Sequence, residues 1–291
     1  MNIQIIGGEM NFKLTNTSLV IFTDIDGTFL DHDTFSDGDN FEMLNKLVKC
    51  NHHVVFNSSK TFREIKKMQD CHKTSFPFIC ETGGGIYHKD QILESSPRQR
   101  EGYNIMYESE KVETFESDVR AEISRNFRQD LDIFDDINMS EKKNLSGLTG
   151  ENLELACKRD FTLLIKWKSN ERRFTLFQAV LRKLNLDIVK GSRFYHICSG
   201  QNKGKALLYF LNKLKLSSSD KNYTTVGVGD SYNDIDMLSN VDYPCVVRSS
   251  YNPNLVKEID NENVILSESS APKGWKECVN NVFSKILIGA I

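Results

Sequence analysis

The sequence lacks the features that mark membrane, secreted and nucleic-acid-binding proteins. No apolar run approaches the length of a membrane span, and no basic segment followed by an apolar stretch opens the chain, so we expect no membrane segment and no signal peptide. The formal net charge of the 291 residues is -3, whereas nucleic-acid-binding proteins usually carry a basic surplus. These absences favour a cytoplasmic protein with neither a membrane nor a nucleic acid as its partner.

Disulfide patterns and histidine-based metal patterns are also missing. The seven cysteines are odd in number and never stand in C-x-x-C spacing, and the six histidines show no H-E-x-x-H spacing. Scattered cysteines of this kind are typical of reduced, mostly buried thiols. The sequence therefore predicts a protein without structural disulfides.

The two ends of the chain show strands that alternate with helices. Short apolar runs that stop at polar or glycine residues predict strands at 19–22, 54–56, 78–80, 224–228 and 243–247. Apolar residues at helical spacing predict helices at 40–49, 61–69 and 203–214. Strand, helix, strand in this order is the signature of an α/β fold with a parallel sheet.

The middle of the chain interrupts this alternation. Between about 89 and 190 the sequence is rich in charged helical stretches, with one partly alternating strand at 161–167 and one helix at 171–186. We therefore predict a βα fold that is interrupted by an insertion and then resumes.

Two carboxylates, Asp24 and Asp26, follow the first predicted strand directly. In open α/β sheets, ligands bind beyond the carboxyl ends of the strands. Carboxylates this close repel each other unless a cation or a shared proton compensates, and Mg²⁺ is the cation that prefers such oxygen ligands. The alternative is an ordinary strand end with an Asx turn, in which Gly27 supplies only the turn.

Further polar residues follow other strands. Asp230 stands at the end of the strand at 224–228, and Asp234 lies one helical turn later. Ser58 follows the second strand, and Lys203 begins a predicted helix; a hydroxyl and an ammonium aimed at one point suit a phosphoryl group. Taken singly, Ser58 could instead cap the next helix, and Lys203 could be a solvated lysine.

Together these stretches resemble the haloacid dehalogenase superfamily of phosphatases. The matching strings are DIDGT at 24–28, NSSKT at 57–61, NKGKAL at 202–207 and GDSYND at 229–234. The resemblance implies a Rossmann-like parallel-sheet core at 1–88 and 191–291, with an inserted α+β cap domain at 89–190 for substrate specificity. It also implies Mg²⁺ as cofactor and a covalent aspartyl-phosphate on the enzyme.

The resemblance assigns a role to each catalytic position. Asp24 is the nucleophile and a metal ligand, and Asp26 is the acid and base that also binds the metal through its backbone carbonyl. Ser58 and Lys203 hold the phosphate oxygens. Asp230 is the third metal ligand, and Asn233 and Asp234 hold the water shell of the metal.

Three further strings resemble one branch of that superfamily, the mannosyl-3-phosphoglycerate phosphatases. They are NSSKTFREI at 57–65, ETGGGIY at 81–87 and GSRFYHI at 191–197. This narrower resemblance implies a small phosphorylated sugar or glycosyl-phosphoglycerate as substrate, bound by Ser59, Lys60, Glu81, Gly83, Gly84 and Arg193. Contributions from the insertion are expected from Lys166, Arg172 and Arg173. The alternatives are another sugar-phosphate phosphatase, a phosphomutase, or a non-catalytic sugar-phosphate-binding protein.

Overall fold

The computed structural model describes residues 12, 14, 17–89, 93, 95–191, 193–217 and 222–289. Its strands are β1 Ser18–Thr23, β2 His53–Asn57, β3 Phe78–Cys80, β4 Gly85–His88, β5 Gln99–Arg100, β6 Tyr103–Glu108, β7 Leu131–Ile133, β8 Leu163–Trp167, β9 Asp187–Lys190, β10 Tyr195–Cys198, β11 Tyr223–Gly229, β12 Tyr243–Val246 and β13 Ile265–Leu266. Its α-helices are α1 Asn40–Lys49, α2 Phe62–Cys71, α3 Val112–Glu122, α4 Met139–Ser146, α5 Gly150–Cys157, α6 Glu171–Lys183, α7 Lys203–Ser217, α8 Ile235–Leu238 and α9 Lys273–Gly289.

The strands form two sheets. The large sheet has nine strands in the order β13-β12-β11-β1-β2-β3-β4-β6-β5. Its strands from β13 to β3 pair in parallel, and β4, β6 and β5 extend it with antiparallel pairs. The small sheet has four antiparallel strands in the order β7-β8-β10-β9. The predicted α/β fold with a mainly parallel sheet is confirmed.

Alternation along β1 explains why the large sheet is buried on both faces. Leu19 and Ile21 pack into one apolar cluster, whereas Val20 and Phe22 pack into the cluster on the opposite face. Successive side chains of a strand point to opposite faces, so an uninterrupted apolar run fits a strand covered on both sides. In the part of the chain that the structure describes, no helix is both long enough and apolar enough to cross a membrane.

Local sequence signals position the elements near the site. The helix predicted at 40–49 is α1. The helix predicted from Thr61 begins one residue later, because Thr61 is its N-cap: the Glu64 N–H donates to the Thr61 hydroxyl and the Glu64 carboxylate accepts from the Thr61 N–H. Ser58 therefore does not cap α2.

The limits predicted for the insertion, 89 and 190, do not coincide with the two sheets. Strands β5 and β6 lie inside the predicted insertion but pair in the large sheet, and β10 lies outside it but pairs in the small sheet. The chain thus leaves the large sheet after Glu108 and returns after Cys198. The difference arises because the sheet that a strand joins is determined by pairing with residues far away in the sequence. The hydrophobic periodicity of the local sequence does not indicate this pairing. The division into a catalytic core and a specificity cap remains a prediction.

Candidate active site

The ends of β1 and β11 bring two carboxylates together. The two strands pair in parallel with Thr23 opposite Val228, and the Asp24 N–H donates to the Val228 carbonyl at 2.9 Å. Asp24 and Asp230 therefore follow neighbouring strand ends, and both are buried. The closeness of the loops requires a glycine at position 27. Its φ is +77°, and an ideal Cβ there would lie 2.7 Å from an Asp230 carboxylate oxygen.

Lys203, the first residue of α7, joins these carboxylates. Its side chain is fully buried, and its Nζ donates to Asp24 Oδ1 at 2.7 Å and to Asp234 Oδ1 at 2.6 Å. The other oxygen of Asp234 accepts from the backbone N–H groups of Asp230 and Ser231. Asp234, predicted to lie behind the metal ligands, thus directly contacts the lysine that contacts Asp24. Asn233 is buried beside it, with its Oδ1 accepting from the Ser231 hydroxyl.

The site holds more negative than positive charge. Asp24, Asp230 and Asp234 each offer a carboxylate oxygen, and these oxygens lie within 4.8 Å of one another, whereas Lys203 is the ammonium that contacts them. Burial raises the pKa of Asp24 to about 6 although Lys203 opposes the shift, and Asp234 adds to it. Burial, with the charges of Asp234 and Asp24, raises the pKa of Asp230 well above its ordinary value. Buried carboxylate oxygens that lack sufficient positive charge fit a hard divalent cation such as Mg²⁺.

Asp26 lies outside this carboxylate cluster. Its Oδ2 is 2.9 Å from Lys60 Nζ, and Lys60 also contacts Glu64 at 3.4 Å. Burial opposes ionisation of Lys60, but the two carboxylates raise the pKa of its ammonium above its ordinary value. The second oxygen of Asp26 is buried and has no hydrogen-bond partner among the described residues. The side chain of Asp26 is thus held by Lys60 at the edge of a cavity.

This cavity lies between the loops that follow β1 and β2 and the small sheet with its helices. Its lining comprises Asp26, His32, Phe35, Ser59, Lys60, Glu64, Phe134, Ser146, Leu148, Ala156, Arg159, Leu164, Arg193, Phe194 and His196. Three of the predicted substrate-binding residues therefore share it, namely Ser59, Lys60 and Arg193. Ser58 is buried behind them, and its Oγ accepts a hydrogen bond from the Lys60 N–H at 3.3 Å.

Two arginines tie the small sheet to the loops of the large sheet across this cavity. Arg193 donates to the His32 carbonyl at 3.0 Å and to the Ser146 carbonyl. Arg159 donates to the Ser59 carbonyl at 2.8 Å, and its Nε lies 3.7 Å from Glu81. The charge of Arg159 is thus compensated. Within the described residues, Arg193 has only neutral carbonyl partners.

Glu81, Gly83 and Gly84 were predicted to bind substrate, but none of them lines this cavity. Glu81 is fully buried, and its carboxylate accepts hydrogen bonds from the backbone N–H groups of residues 160–162. An ideal Cβ on Gly83 would lie 2.5 Å from the Asn202 carbonyl, and one on Gly84 would lie 2.5 Å from Phe161 Cβ. These contacts give the three residues a structural role.

The cations expected from the insertion also lie elsewhere. Arg173 forms an ion pair with Asp130 at 2.6 Å, and Lys166 is exposed on β8. Arg172 is exposed as well. Arg159, His32 and His196 also line the cavity, although none of them was predicted from the sequence to bind substrate. The sequence signal for these three residues was weak. His196 belongs to the GSRFYHI string but forms no motif of its own, and a single arginine or histidine shows no periodicity.

Comparison with known proteins decides the family. A family model for haloacid dehalogenase-like hydrolases matches residues 21–262. The chain belongs to the haloacid dehalogenase-like hydrolases. A Persephonella marina protein named glucosyl-3-phosphoglycerate/mannosyl-3-phosphoglycerate phosphatase is 30% identical over 286 residues, covering 92% of this chain and 98% of that protein. A protein of the same name from Methanococcoides burtonii is 27% identical and covers 91% of this chain and 97% of its own length.

Solved structures share the fold of this haloacid dehalogenase-like hydrolase. The sucrose-phosphatase of Synechocystis, solved with sucrose and phosphate, has a TM-score of 0.60 at 13% identity and covers 91% of this chain and 98% of its own. A haloacid dehalogenase-like hydrolase from B. subtilis has a TM-score of 0.62 at 13% identity, covering 89% and 96%. The predicted superfamily and the predicted enzyme class, a phosphatase, are confirmed.

Proposed function

We propose that the chain is a magnesium-dependent phosphomonoester hydrolase in which Asp24 attacks the phosphorus. The observation that carries this proposal is the buried group in which Lys203 contacts Asp24 while Asp230 and Asp234 surround them. Phosphoryl transfer depends on in-line positioning and on neutralising charge. Asp24, Asp230 and the backbone carbonyl of Asp26 would hold Mg²⁺, which supplies positive charge to the phosphate oxygens and to the carboxylates.

The residues of the chain divide the reaction between them. An Asp24 carboxylate oxygen forms the bond to phosphorus while the bond to the leaving oxygen breaks, which gives an aspartyl-phosphate and an alcohol. Asp26 gives the leaving oxygen its proton and takes one from the water that later hydrolyses the aspartyl-phosphate. Lys203 and Ser58 bind the phosphate oxygens. Asn233 and Asp234 would support the water molecules around Mg²⁺.

We further propose a glycosyl-3-phosphoglycerate as the substrate, with the mannosyl compound as the first candidate. The names of the two relatives support this choice. So does Arg193, a half-buried cation whose partners are neutral carbonyls, because such a cation suits a second anionic group such as the glycerate carboxylate. The region between Glu108 and Ser199 then acts as the specificity cap. The free state of all seven cysteines supports work in the cytoplasm.

Phosphate release tests the proposal. Purified protein is assayed with mannosyl- and glucosyl-3-phosphoglycerate, sucrose 6-phosphate, glucose 6-phosphate and p-nitrophenyl phosphate, each with Mg²⁺ and with a chelator. We expect the glycosyl-3-phosphoglycerates to have the highest kcat/KM and turnover to require Mg²⁺. Asp24→Asn should lower kcat by several orders of magnitude, since an amide cannot form the acyl-phosphate. Turnover of Asp24→Asn at one tenth of the wild-type rate would refute the role of the nucleophile.

A further inference from the structure

Three unpartnered polar atoms belong to residues that line the cavity next to Asp26. Asp26 Oδ1, His32 Nδ1 and His196 Nδ1 are buried and have no hydrogen-bond partner among the described residues. Buried polar atoms in folded proteins are nearly always paired, so each of these three calls for a partner that the described residues do not supply. Because all three residues line one cavity, a single ligand can supply all three partners.

Within the described residues, Nδ1 of the buried His196 ring has no hydrogen-bond partner. On its other side, Nε2 would lie 2.8 Å from a Cβ on residue 191, so the glycine there makes room for the ring. His196 itself is buried. Burial, with the nearby charges of Arg159 and Lys203, holds the pKa of His196 well below its ordinary value, so the ring is neutral at physiological pH. A neutral imidazole pairs well with a hydroxyl group, which both donates and accepts.

His32 has a similar setting on the other side of the cavity. Its ring packs against Tyr251 at 4.3 Å between ring centres, and its backbone carbonyl accepts from Arg193. Burial and the charge of Arg193 lower the pKa of His32, so this imidazole is also neutral. An anionic group entering the cavity is drawn to Arg193 in preference to either uncharged ring, which leaves the two rings for uncharged polar groups.

The remaining wall of the cavity is partly aromatic. Phe35, Phe134 and Phe194 line it, and the rings of Phe134 and Phe194 pack edge to face at 4.9 Å. An apolar wall with a few convergent polar atoms is the usual form of a small-molecule site. A sugar ring combines apolar C–H faces with hydroxyl groups at its rim, so it matches both parts.

We infer that His32 and His196 form a subsite for the hydroxyl groups of the glycosyl substituent, and that these imidazoles set the preference for glycosylated over unglycosylated phosphate esters. The inference rests on the proposed function, because the phosphate group must first occupy the site at Asp24. His32 and His196, from opposite sides of the cavity, would thus determine specificity together with the cations that bind the anionic groups of the substrate.

The two nitrogens of each ring can be tested separately. An asparagine places an amide atom near the position of Nδ1, and a glutamine places one near Nε2. We therefore compare His196→Asn with His196→Gln, and His32→Asn with His32→Gln, using His72→Asn as control because His72 is exposed and lies outside the cavity. The measured quantity is kcat/KM for glucosyl-3-phosphoglycerate divided by kcat/KM for p-nitrophenyl phosphate.

Each glutamine variant should lower this ratio about 10-fold, as expected for one lost hydrogen bond, and each asparagine variant should recover most of it. His72→Asn should leave the ratio unchanged. Calorimetric binding of glucosyl-3-phosphoglycerate to the inactive Asp24→Asn protein with the same substitutions should weaken in parallel, with 3-phosphoglycerate as the unglycosylated comparison. Melting curves identify a variant that fails to fold. In that case, the comparison is made with the variants of the other histidine alone.

The outcomes separate the inference from the proposed function. If wild-type protein hydrolyses p-nitrophenyl phosphate but neither glycosyl-3-phosphoglycerate, the proposed substrate is wrong, and the subsite falls with it. If wild-type protein hydrolyses both classes but the glutamine variants lose activity equally on both, the proposed substrate stands and the subsite is refuted. Equal effects of asparagine and glutamine would also refute it, since they would show that Nδ1 makes no specific contact.

Discussion

Glu81 gives the sharpest test of how the two sheets are joined. It is fully buried in the turn after β3, where its backbone has a φ of +47°, an unfavourable value for a residue with a side chain. Its carboxylate accepts from the N–H groups of residues 160–162 at 2.9 to 3.1 Å and from the Thr162 hydroxyl at 2.9 Å. One side chain therefore fixes the segment that leads into β8, and Glu81→Ala removes all of these bonds.

The size of the effect follows from those contacts. Hydrogen bonds to a charged group contribute about 1.5 to 3 kcal/mol each, but they are not additive and water entering the vacated space recovers part of the loss. The substitution also leaves Arg159 without its carboxylate partner, and breaking a buried ion pair costs about 3 to 5 kcal/mol. We expect a loss of about 4 kcal/mol in the free energy of unfolding, or about 10 °C in Tm for a chain of this size.

Glu81→Gln is the graded variant. Its amide oxygen can still accept from Phe161 and Thr162, whereas its NH₂ group faces the Asp160 N–H, so about half of the loss is expected. Urea unfolding followed by circular dichroism and fluorescence measures both variants, and Glu113→Ala, on the first turn of α3, serves as a control. If Glu81→Ala unfolds like wild type but raises KM for the sugar substrate, Glu81 binds substrate as the sequence suggested, and the structural role is refuted.

Three further substitutions test charge, pH dependence and substrate binding. Lys203→Met leaves the carboxylate cluster uncompensated, so unfolding free energy without metal should fall by about 3 kcal/mol or more, and Mg²⁺ should restore part of it in melting curves. Arg193→Ala should raise KM for a glycosyl-3-phosphoglycerate about 30-fold, equivalent to about 2 kcal/mol, with a much smaller rise for p-nitrophenyl phosphate. His52 is buried, its Nδ1 accepts from the Leu19 N–H, and burial lowers its pKa although a hydrogen bond to the Phe12 carbonyl opposes the shift. The unfolded chain therefore takes up the proton first, and stability should fall as pH drops below about 6.5, with a shallower slope in His52→Gln measured by urea unfolding from pH 8 to 5.

Each of these expectations has a result that contradicts it. Equal melting temperatures of Lys203→Met with Mg²⁺ and with chelator would show that the cluster does not bind the metal. Equal losses of Arg193→Ala on both substrates would assign Arg193 to general phosphate binding or to structure. An unchanged slope in His52→Gln would place the acid sensitivity in other groups.

The parts of the fold that the sequence predicts are those fixed by local patterns. The apolar run of β1 followed by Asp24, and that of β11 followed by Asp230, mark strand ends whose partners in a parallel sheet are few. The helix α1 shows its buried face directly in the spacing of Phe41, Leu44 and Leu47. The helix that begins at Lys203 was also predicted, but the role of Lys203 itself was assigned only by the family resemblance, because a single lysine at a helix start can equally be solvated.

The parts that the sequence does not predict depend on distant pairing. Strand β6 is half-buried along most of its length, so its pattern does not distinguish an extension of the large sheet from a strand of an inserted domain. Gly83 and Gly84 were predicted to bind substrate, and from the sequence alone they fit a ligand cradle as well as an ordinary turn. Only the positions of Asn202 and Phe161 decide between these alternatives.

Under the proposed function, the same distinction separates the residues that transfer the phosphoryl group from those that select the substrate. Asp24 and Asp230 follow neighbouring strand ends of one sheet, so their relative positions are set by that sheet alone. The cavity depends on both sheets, since Arg193 reaches the His32 carbonyl and Arg159 reaches the Ser59 carbonyl across it. Glu81 fixes the segment before β8. It thereby holds the small sheet at the distance from the loops of the large sheet that both arginines span. Loss of Glu81 should therefore weaken discrimination between sugar and aryl phosphates in whatever fraction remains folded, while phosphoryl transfer at Asp24 is less affected.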